Sequence, residues 1–198
     1  MREYGDKRVK RAFLKIALVL LVALAATSCK QLEPYFAFSQ EWNYSFDDGG
    51  IQFHSTADLL AWVHQYVAYA SNSQMWGYTE YWASPEQTLG AKQGDCKAYA
   101  LLFMYYSYSR HLAASPVFVA IENAGGLGHA IVRIGDTFYD PTAGTQESAS
   151  SMNRPVWYTL NYGQAIYIAT HDHDAWKGIT GGKIVGSPAA ATVFSLPM

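Results

Sequence analysis

The feature that most constrains the fold of this chain is the run from Cys96 to Leu112. This run contains neither Gly nor Pro and consists largely of Ala, Leu, Phe, Met and Tyr. A segment of this composition favours a helix, and a helix that is apolar nearly all round its axis has to be buried. Gly94 and Asp95 directly precede the run and predict that the helix begins at Cys96. The other elements must therefore surround one central helix.

A second helix is predicted upstream of the central one, after Ser55. Ser55 can cap this helix, and Asp58 follows three positions later in an acidic variant of the capping box. Apolar residues then recur at helical spacing, and the helix is expected to end near residues 71–73. The segment 74–94 contains Pro and Gly and is predicted to be irregular.

Beyond Pro116 the helical pattern gives way to a strand pattern. Residues 117–121 form a short apolar run, which predicts a buried strand. His129–Ile134 and Thr137–Asp140 predict two more strands, which the two-residue turn Gly135-Asp136 joins into a hairpin.

The order of these elements indicates the fold class. Helices come first and strands follow, which favours an α+β fold over alternating βαβ units. Residues 145–155 are polar and are predicted to form a loop. The short apolar run Ala165–Ala169 is predicted to be a further strand.

The predicted hairpin brings an imidazole and a carboxylate together. With a two-residue turn, Ile131 faces Asp140 across the hairpin, and side chains two positions apart on one strand share a face. His129 and Asp140 are then diagonal neighbours on one face, within reach of a hydrogen bond. A slip of one residue would place Asp140 on the opposite face, so the prediction depends on this register.

Cys96 is the candidate nucleophile. The chain has two cysteines, and Cys96 lies in the first turn of the central helix, where the helix dipole favours a thiolate. We therefore predict a pKa for Cys96 well below the roughly 8.5 of a free thiol. His129 would take the thiol proton and Asp140 would orient the imidazole, as in a catalytic triad.

Acyl transfer also needs hydrogen-bond donors for the oxyanion that forms on the carbonyl. The main-chain N–H of Cys96 is the first candidate, because N–H groups at a helix start have no partner in the helix. The candidates for the second donor are Gln93, Gln87 and Trp82, which all precede the nucleophile. The sequence does not choose among these three side chains.

The N-terminal segment has the pattern of a bacterial lipoprotein signal. A basic stretch is followed by the apolar run Ile16–Ala26, which is too short to span a bilayer as a helix. Small residues then lead to Cys29, in a pattern similar to a lipobox. We predict a signal peptide over 1–28, a lipidated Cys29 with a tether over 29–50, and one domain over 51–198.

Charge and location follow from this division. Without the six basic and two acidic residues of positions 1–28, the totals of 14 and 16 leave a net charge of about −6. This charge argues against nucleic acid as a partner. We predict a protein of the bacterial envelope that contacts the membrane through its lipid anchor. Lys30 after Cys29 favours the outer membrane, with the domain facing the periplasm.

Three short motifs in fixed order carry a family resemblance. Gly94-Asp95-Cys96, Gly128-His129-Ala130 and Asp140-Pro141-Thr142, together with the segment 81–90, resemble the transglutaminase-like superfamily. Within it, the sequence is most similar to the bacterial transglutaminase-like cysteine proteinases over roughly residues 57–142. The resemblance implies a papain-like fold, with the nucleophile at the N-terminus of a central helix packed on an antiparallel sheet. It also implies Cys96, His129 and Asp140 as the triad.

The chain departs from the family pattern directly after the nucleophile. Members of the proteinase group often carry two acidic residues there, and some bind calcium through such acids, whereas this chain has Lys97 and Ala98. We therefore predict no cofactor and no metal site. Lys97 is expected instead to lower the pKa of the thiol. The segment His171–Asp174 is predicted to be a polar loop and not a set of metal ligands.

Three functions remain open at this point. The first is a cysteine peptidase or amidase that acts on a periplasmic or surface protein, with a protein or peptide as substrate. The second is a transglutaminase, in which an amine replaces water as the acyl acceptor. The third is a non-catalytic peptide-binding module of the same fold.

Overall fold

The structure is a computed structural model that describes residues 44–123, 126–180 and 185. The predicted signal peptide and the lipidation site Cys29 lie outside the described residues. Among the helices that the structure describes, none has both the length and the apolar character needed to cross a membrane.

In sequence order, the described chain has a first group of helices, then a run of strands, and then a second group of helices. The helices are α1 Thr56–Tyr66, α2 Asn72–Trp76, α3 Pro85–Ala91, α4 Cys96–Ser109, α5 Tyr162–Thr170 and α6 Ala175–Thr180. The strands are β1 Ala68–Tyr69, β2 Gln93–Gly94, β3 Val117–Asn123, β4 Leu127–Ile134, β5 Thr137–Asp140, β6 Thr145–Ser148 and β7 Val156–Asn161.

The main sheet has five antiparallel strands in the order β6-β5-β4-β3-β7. Helix α4 packs against one face of this sheet, and its residues share the large hydrophobic core with those of the central strands. Strands β1 and β2 form a separate parallel pair. The predicted mixed α+β architecture with an antiparallel sheet is confirmed.

Helix α4 is buried as its composition predicts. Every residue from Cys96 to Ser107 is buried, including the charged Lys97. Asp95 caps the helix, and its carboxylate accepts hydrogen bonds from the N–H groups of Lys97 and Ala98. Gly94 lies so close to the first turn that a Cβ atom added to it would be 2.4 Å from the Ala98 Cβ. Only glycine therefore fits directly before this helix start.

The segment 74–94 is not irregular as predicted, because it contains α3 and the end of α2. Each of these helices begins with a capping box, Ser71 with Gln74 and Ser84 with Gln87. Pro85 occupies the first turn of α3, where the missing N–H costs no helix hydrogen bond. The Pro and Gly residues that suggested a loop therefore mark helix ends. Helix α1 starts after Ser55 as predicted but ends earlier, at Tyr66.

The register of the β4–β5 hairpin is the predicted one, since Ile134 pairs with Thr137 and Val132 with Tyr139. Two other predictions in this half are wrong. The polar segment after residue 144 contains β6, an edge strand whose residues are mostly exposed, so no apolar pattern marks it. The run 165–169 is part of α5, which Asn161 begins with a capping box. Short apolar runs fit a buried helix as well as a strand.

Residues ahead of position 51 already pack against the domain. Tyr44 and Phe46 contact the ring of Tyr105, at centroid distances of 5.6 Å and 4.8 Å. Asp48 forms an ion pair with Arg110 at the end of α4. The described part of the predicted tether therefore belongs to the packed structure, because its aromatic side chains cover the central helix.

Candidate active site

The β4–β5 hairpin brings His129 and Asp140 into contact. The distance between His129 Nε2 and Asp140 Oδ2 is 2.7 Å, and each side chain keeps 13% of its surface exposed. This is the diagonal pair that the register predicts, on the face that also carries Ile131. Because Nε2 faces the carboxylate, Nδ1 is the ring nitrogen left for proton transfer to another group.

The carboxylate of Asp140 is also held by the turn that follows it. Its Oδ1 accepts hydrogen bonds from the N–H groups of Thr142 and Ala143, at 3.1 Å and 3.0 Å. Burial by itself raises the pKa of Asp140, but the hydrogen bond and charge of His129 and the Ala143 N–H outweigh burial and lower the pKa. Asp140 is therefore a turn residue and the partner of the imidazole at the same time, and it stays ionised.

The Cys96 thiol lies close to Ala130 on β4, the residue that follows His129 in the sequence. In a hairpin with a two-residue turn, alternate residues direct their main-chain groups to the two sides of the strand. Counting back from Ile134, the N–H of Ala130 points to the side of β5, which ends at Asp140 before Pro141. The Cys96 thiol lies near this N–H, which lowers the thiol pKa.

The β4–β5 hairpin therefore brings together two of the three predicted site residues. His129 and Asp140 are joined directly, and the charge of Asp140 also acts on the Cys96 thiol. Within the described part of the chain, the structure gives no hydrogen bond between Cys96 and His129. The imidazole and the carboxylate are thus hydrogen-bonded to each other, whereas the thiol is not hydrogen-bonded to the imidazole.

The predicted low pKa of Cys96 is contradicted. The thiol is 1% exposed, and burial raises its pKa to about 12, with a further increase from the carboxylates of Asp95 and Asp140. Lys97 and the Ala130 N–H lower the pKa, as expected for Lys97, but they do not offset burial. The helix dipole by itself favours a thiolate, but the packed structure also removes water from the thiol, which no local sequence pattern shows. In the resting protein Cys96 is a neutral thiol.

A buried charge cluster is centred on Lys97, the residue that follows Cys96 on α4. The ammonium of Lys97 is fully buried and donates hydrogen bonds to Asp95 at 2.5 Å, to Glu80 at 3.3 Å and to the main-chain oxygen of Val185. Burial raises the pKa of Glu80 to about 7, although Lys97 and Trp82 lower it. The sequence analysis did not identify Glu80, because a single acid well before the nucleophile carries no motif.

The structure distinguishes among the candidate oxyanion donors. Gln87 is committed to the α3 cap, since its Nε2 donates to Tyr81 and its Oε1 accepts from the Ser84 N–H. The indole of Trp82 is fully buried near the Glu80 carboxylate, and its N–H has no hydrogen-bond partner among the described residues, so Trp82 stays a prediction. Gln93 is exposed on β2, three residues before Cys96, and stays a prediction.

The N–H of Cys96 is well placed for the first donor. The side chain of Asp95 satisfies the N–H groups of Lys97 and Ala98, and the carbonyl of Asp95 accepts from the Tyr99 N–H. The capping of α4 therefore leaves the Cys96 N–H as the donor directed out of the helix start.

Comparison with known proteins gives only distant similarities. No family model matches the chain, and no curated protein matches it. Among solved structures, the chain is similar to Legionella pneumophila LapG, to its calcium-bound form and to its EGTA-treated form, each with 16% identity and a TM-score of 0.46. The aligned part covers 54% of this chain and 61%, 62% or 63% of the LapG chains, which is less than two thirds of their length.

These comparisons correct one prediction. The sequence analysis predicted no cofactor, but the similar structures include a calcium-bound form of LapG next to an EGTA-treated one. The prediction of no cofactor is therefore wrong as it was made, and it is withdrawn.

In the ranges 44–123 and 126–180, no group of three or more His, Cys, Asp or Glu side chains is arranged to hold a metal. The two acids next to the nucleophile, Asp95 and Glu80, face the ammonium of Lys97. The described side chains thus do not fit a calcium ion at this place.

The raised pKa of Cys96 predicts a slow, strongly pH-dependent reaction with iodoacetamide. A group whose pKa is about 12 is protonated at neutral pH, so the alkylation rate should rise about tenfold per pH unit through the alkaline range. A Cys29→Ser background leaves Cys96 as the only thiol, and mass spectrometry measures its modification. Rapid alkylation at neutral pH that reaches a plateau would contradict the neutral thiol.

Removal of the buried cation should destabilise the fold. In Lys97→Met the carboxylates of Asp95 and Glu80 lose their counter-charge, and we expect the free energy of unfolding in urea to fall by about 3–5 kcal/mol. The double variant Lys97→Met/Glu80→Gln should recover part of this loss. Lys177→Met, which removes an exposed ammonium, is the matched control and should change little. Equal effects of the two lysine variants would contradict the role of the cluster.

Proposed function

We propose that this chain is a thiol-dependent acyl hydrolase, a peptidase or amidase of the transglutaminase-like type with a papain-like active site. The observation that carries this proposal is the His129–Asp140 hydrogen bond of 2.7 Å at the strand against which the Cys96 thiol lies. A nucleophile at a helix start, a base and an oriented carboxylate are the groups that thiol acyl transfer requires.

The first step forms a bond between the Cys96 sulfur and the substrate carbonyl carbon. The thiol proton moves to Nδ1 of His129, and the electron pair of the carbonyl moves onto oxygen. The N–H of Cys96 donates to this oxyanion. When the carbonyl re-forms, the C–N bond breaks, and His129 gives its proton to the leaving amine. Water, deprotonated by His129, then cleaves the thioester and restores the thiol.

The neutral thiol determines how this step proceeds. A pKa raised by burial leaves no preformed thiolate–imidazolium pair at neutral pH. His129 therefore acts as a general base during the attack, and Asp140, whose pKa is lowered, stabilises the imidazolium as it forms. Substrate binding also has to expose a thiol that is 1% exposed at rest.

A protein or peptide substrate is supported by the surface next to α4. An open cavity of about 490 Å³ is lined by aromatic and charged side chains, among them Tyr78, Tyr81 and Trp176. Glu80 lines the same cavity and reaches Lys97, which places the cavity beside the helix start. Aromatic walls with a few charged groups suit peptide side chains.

The burial of Cys96 favours one rival, a non-catalytic peptide-binding module of the same fold. A buried thiol with a raised pKa is an ordinary structural cysteine when it stands alone. The ionised and oriented Asp140 argues for catalysis, because a binding module gains nothing from an imidazole held by a carboxylate. A transglutaminase uses the same residues and differs only in the acyl acceptor.

We further propose that the protein is anchored to the outer membrane of a bacterial envelope through lipid on Cys29, with the domain in the periplasm. The basic segment, the short apolar run and the small residues before Cys29 support this. Cys29→Ala should abolish stable membrane association in cell fractionation while the domain remains folded. A Cys29→Ala protein that stays in the membrane fraction as firmly as the unsubstituted chain would contradict the anchor.

The triad residues should act as a unit in catalysis. Cys96→Ser should lower turnover of a peptide library nearly as much as the triple variant with His129→Ala and Asp140→Asn, whereas Asp140→Asn alone should cost less. Assays with calcium and with EGTA run in parallel, and an added primary amine reveals transamidation as a new product mass. Full activity of Cys96→Ser in restoring a deletion strain would replace the proposed enzyme by the binding module.

A further inference from the structure

The side chain of Tyr158 is a buried polar group that the proposed mechanism has not used. Tyr158 lies on β7, and its ring is partly exposed while its hydroxyl is buried and has no hydrogen-bond partner. A buried hydroxyl without a partner costs free energy, so its retention calls for a physical reason.

The sheet register directs this side chain toward the nucleophile. Tyr158 pairs with Ala120 on β3, and Ala120 pairs with Ala130 on β4. Residues in one such row across antiparallel strands share a face, here the face that packs against α4. The N–H of Ala130 lies near the Cys96 thiol and lowers its pKa. Tyr158, Ala120 and Ala130 therefore form one row, and the N–H of its last member lies near the sulfur.

Two small side chains leave space along this row. Both alanine side chains are short, so the ring of Tyr158 on this face has room to lean along the row. Larger residues at either alanine position would take up part of this room. The register also shifts between Ala120 and Ile121, directly beside Tyr158, and such irregularities often redirect a side chain next to a site.

The surroundings of the hydroxyl agree with this placement. The pKa of Tyr158 is raised, first by burial and then by the charges of Glu80, Cys96 and Asp95. The hydroxyl therefore keeps its proton and is a donor near the thiol. The ring of Phe118, at a centroid distance of 6.3 Å and nearly parallel, supports the ring of Tyr158 from the next position of the sheet.

We propose that Tyr158 is a catalytic residue whose hydroxyl donates the second hydrogen bond to the oxyanion, opposite the N–H of Cys96. This inference rests on the proposed thiol acyl transfer. When the sulfur–carbon bond forms, the carbonyl electron pair moves to oxygen, and the Tyr158 O–H and Cys96 N–H both donate to it. When the carbonyl re-forms and the leaving group departs, both donors return to their resting state, and no proton is transferred from Tyr158.

Two thiol reagents separate this role from a structural one. Acylation by p-nitrophenyl acetate passes through a tetrahedral oxyanion and releases p-nitrophenolate, whereas alkylation by iodoacetamide displaces iodide without an oxyanion. In the full chain with Cys29→Ser, we expect Tyr158→Phe to lower the acylation rate of Cys96 roughly 10²-fold, the effect of losing one oxyanion donor. The alkylation rate and the melting temperature should stay unchanged.

Tyr106→Phe is the matched control. Its hydroxyl is also buried without a hydrogen-bond partner, but it lies ten residues further along α4, about 15 Å from Cys96. This variant should leave both rates unchanged.

The outcomes distinguish the two proposals. If wild type and Cys96→Ser release p-nitrophenolate equally, the thiol acyl transfer fails. If release depends on Cys96 but Tyr158→Phe keeps the wild-type acylation rate, only the role of Tyr158 is overturned. A loss of melting temperature in Tyr158→Phe with unchanged acylation would likewise overturn it and make Tyr158 a structural partner of Glu80. A parallel loss of acylation and alkylation would also overturn it.

Discussion

At the start of the central helix, one ammonium group lies among two carboxylates and a main-chain carbonyl, without exposure to water. An isolated charge in such a place is very unfavourable, and the three oxygens around Lys97 offset this cost only if all of them stay in position. One oxygen comes from Asp95 at the helix start, and the others come from Glu80 and from Val185, which are distant from it in the sequence. The cluster therefore fixes the position of the first turn of α4, and with it the position of Cys96.

The same charges determine the state of the thiol. Asp95 and Asp140 raise the pKa of Cys96, and Lys97 lowers it, so the neighbouring charges oppose one another and burial decides the direction. In the proposed acyl transfer, the dipole and the N–H of the helix start would stabilise negative charge on sulfur or oxygen once it develops. The arrangement would then stabilise charge in the transition state, while burial keeps the resting thiol neutral.

The parts of the structure that follow local rules were predictable from the sequence. The Gly135-Asp136 turn sets the hairpin register, and Asp95 sets the start of the buried helix; both were predicted. The short helices α2 and α3, the polar edge strand β6 and the helix α5 were missed, because their signals are capping boxes or short runs that also suit loops and strands.

The contacts between distant segments were not predictable in the same way. Glu80 meets Lys97 only through the tertiary fold, and no spacing in the sequence indicates it. The desolvation of Cys96 is likewise a property of everything packed around it. The sequence therefore predicted the contact of His129 with Asp140, but not the protonation state of the thiol.

The end of β5 lies next to both the Asp140 carboxylate and the Ala130 N–H. β5 stops at Asp140 because Pro141 has no N–H to continue the ladder, so the Ala130 main chain on β4 loses its neighbour on that side. The thiol lies near this N–H, while Asp140, the last residue before the break, turns its carboxylate to His129. A one-residue slip would separate Asp140 from His129. The register of this turn therefore sets the imidazole–carboxylate pair.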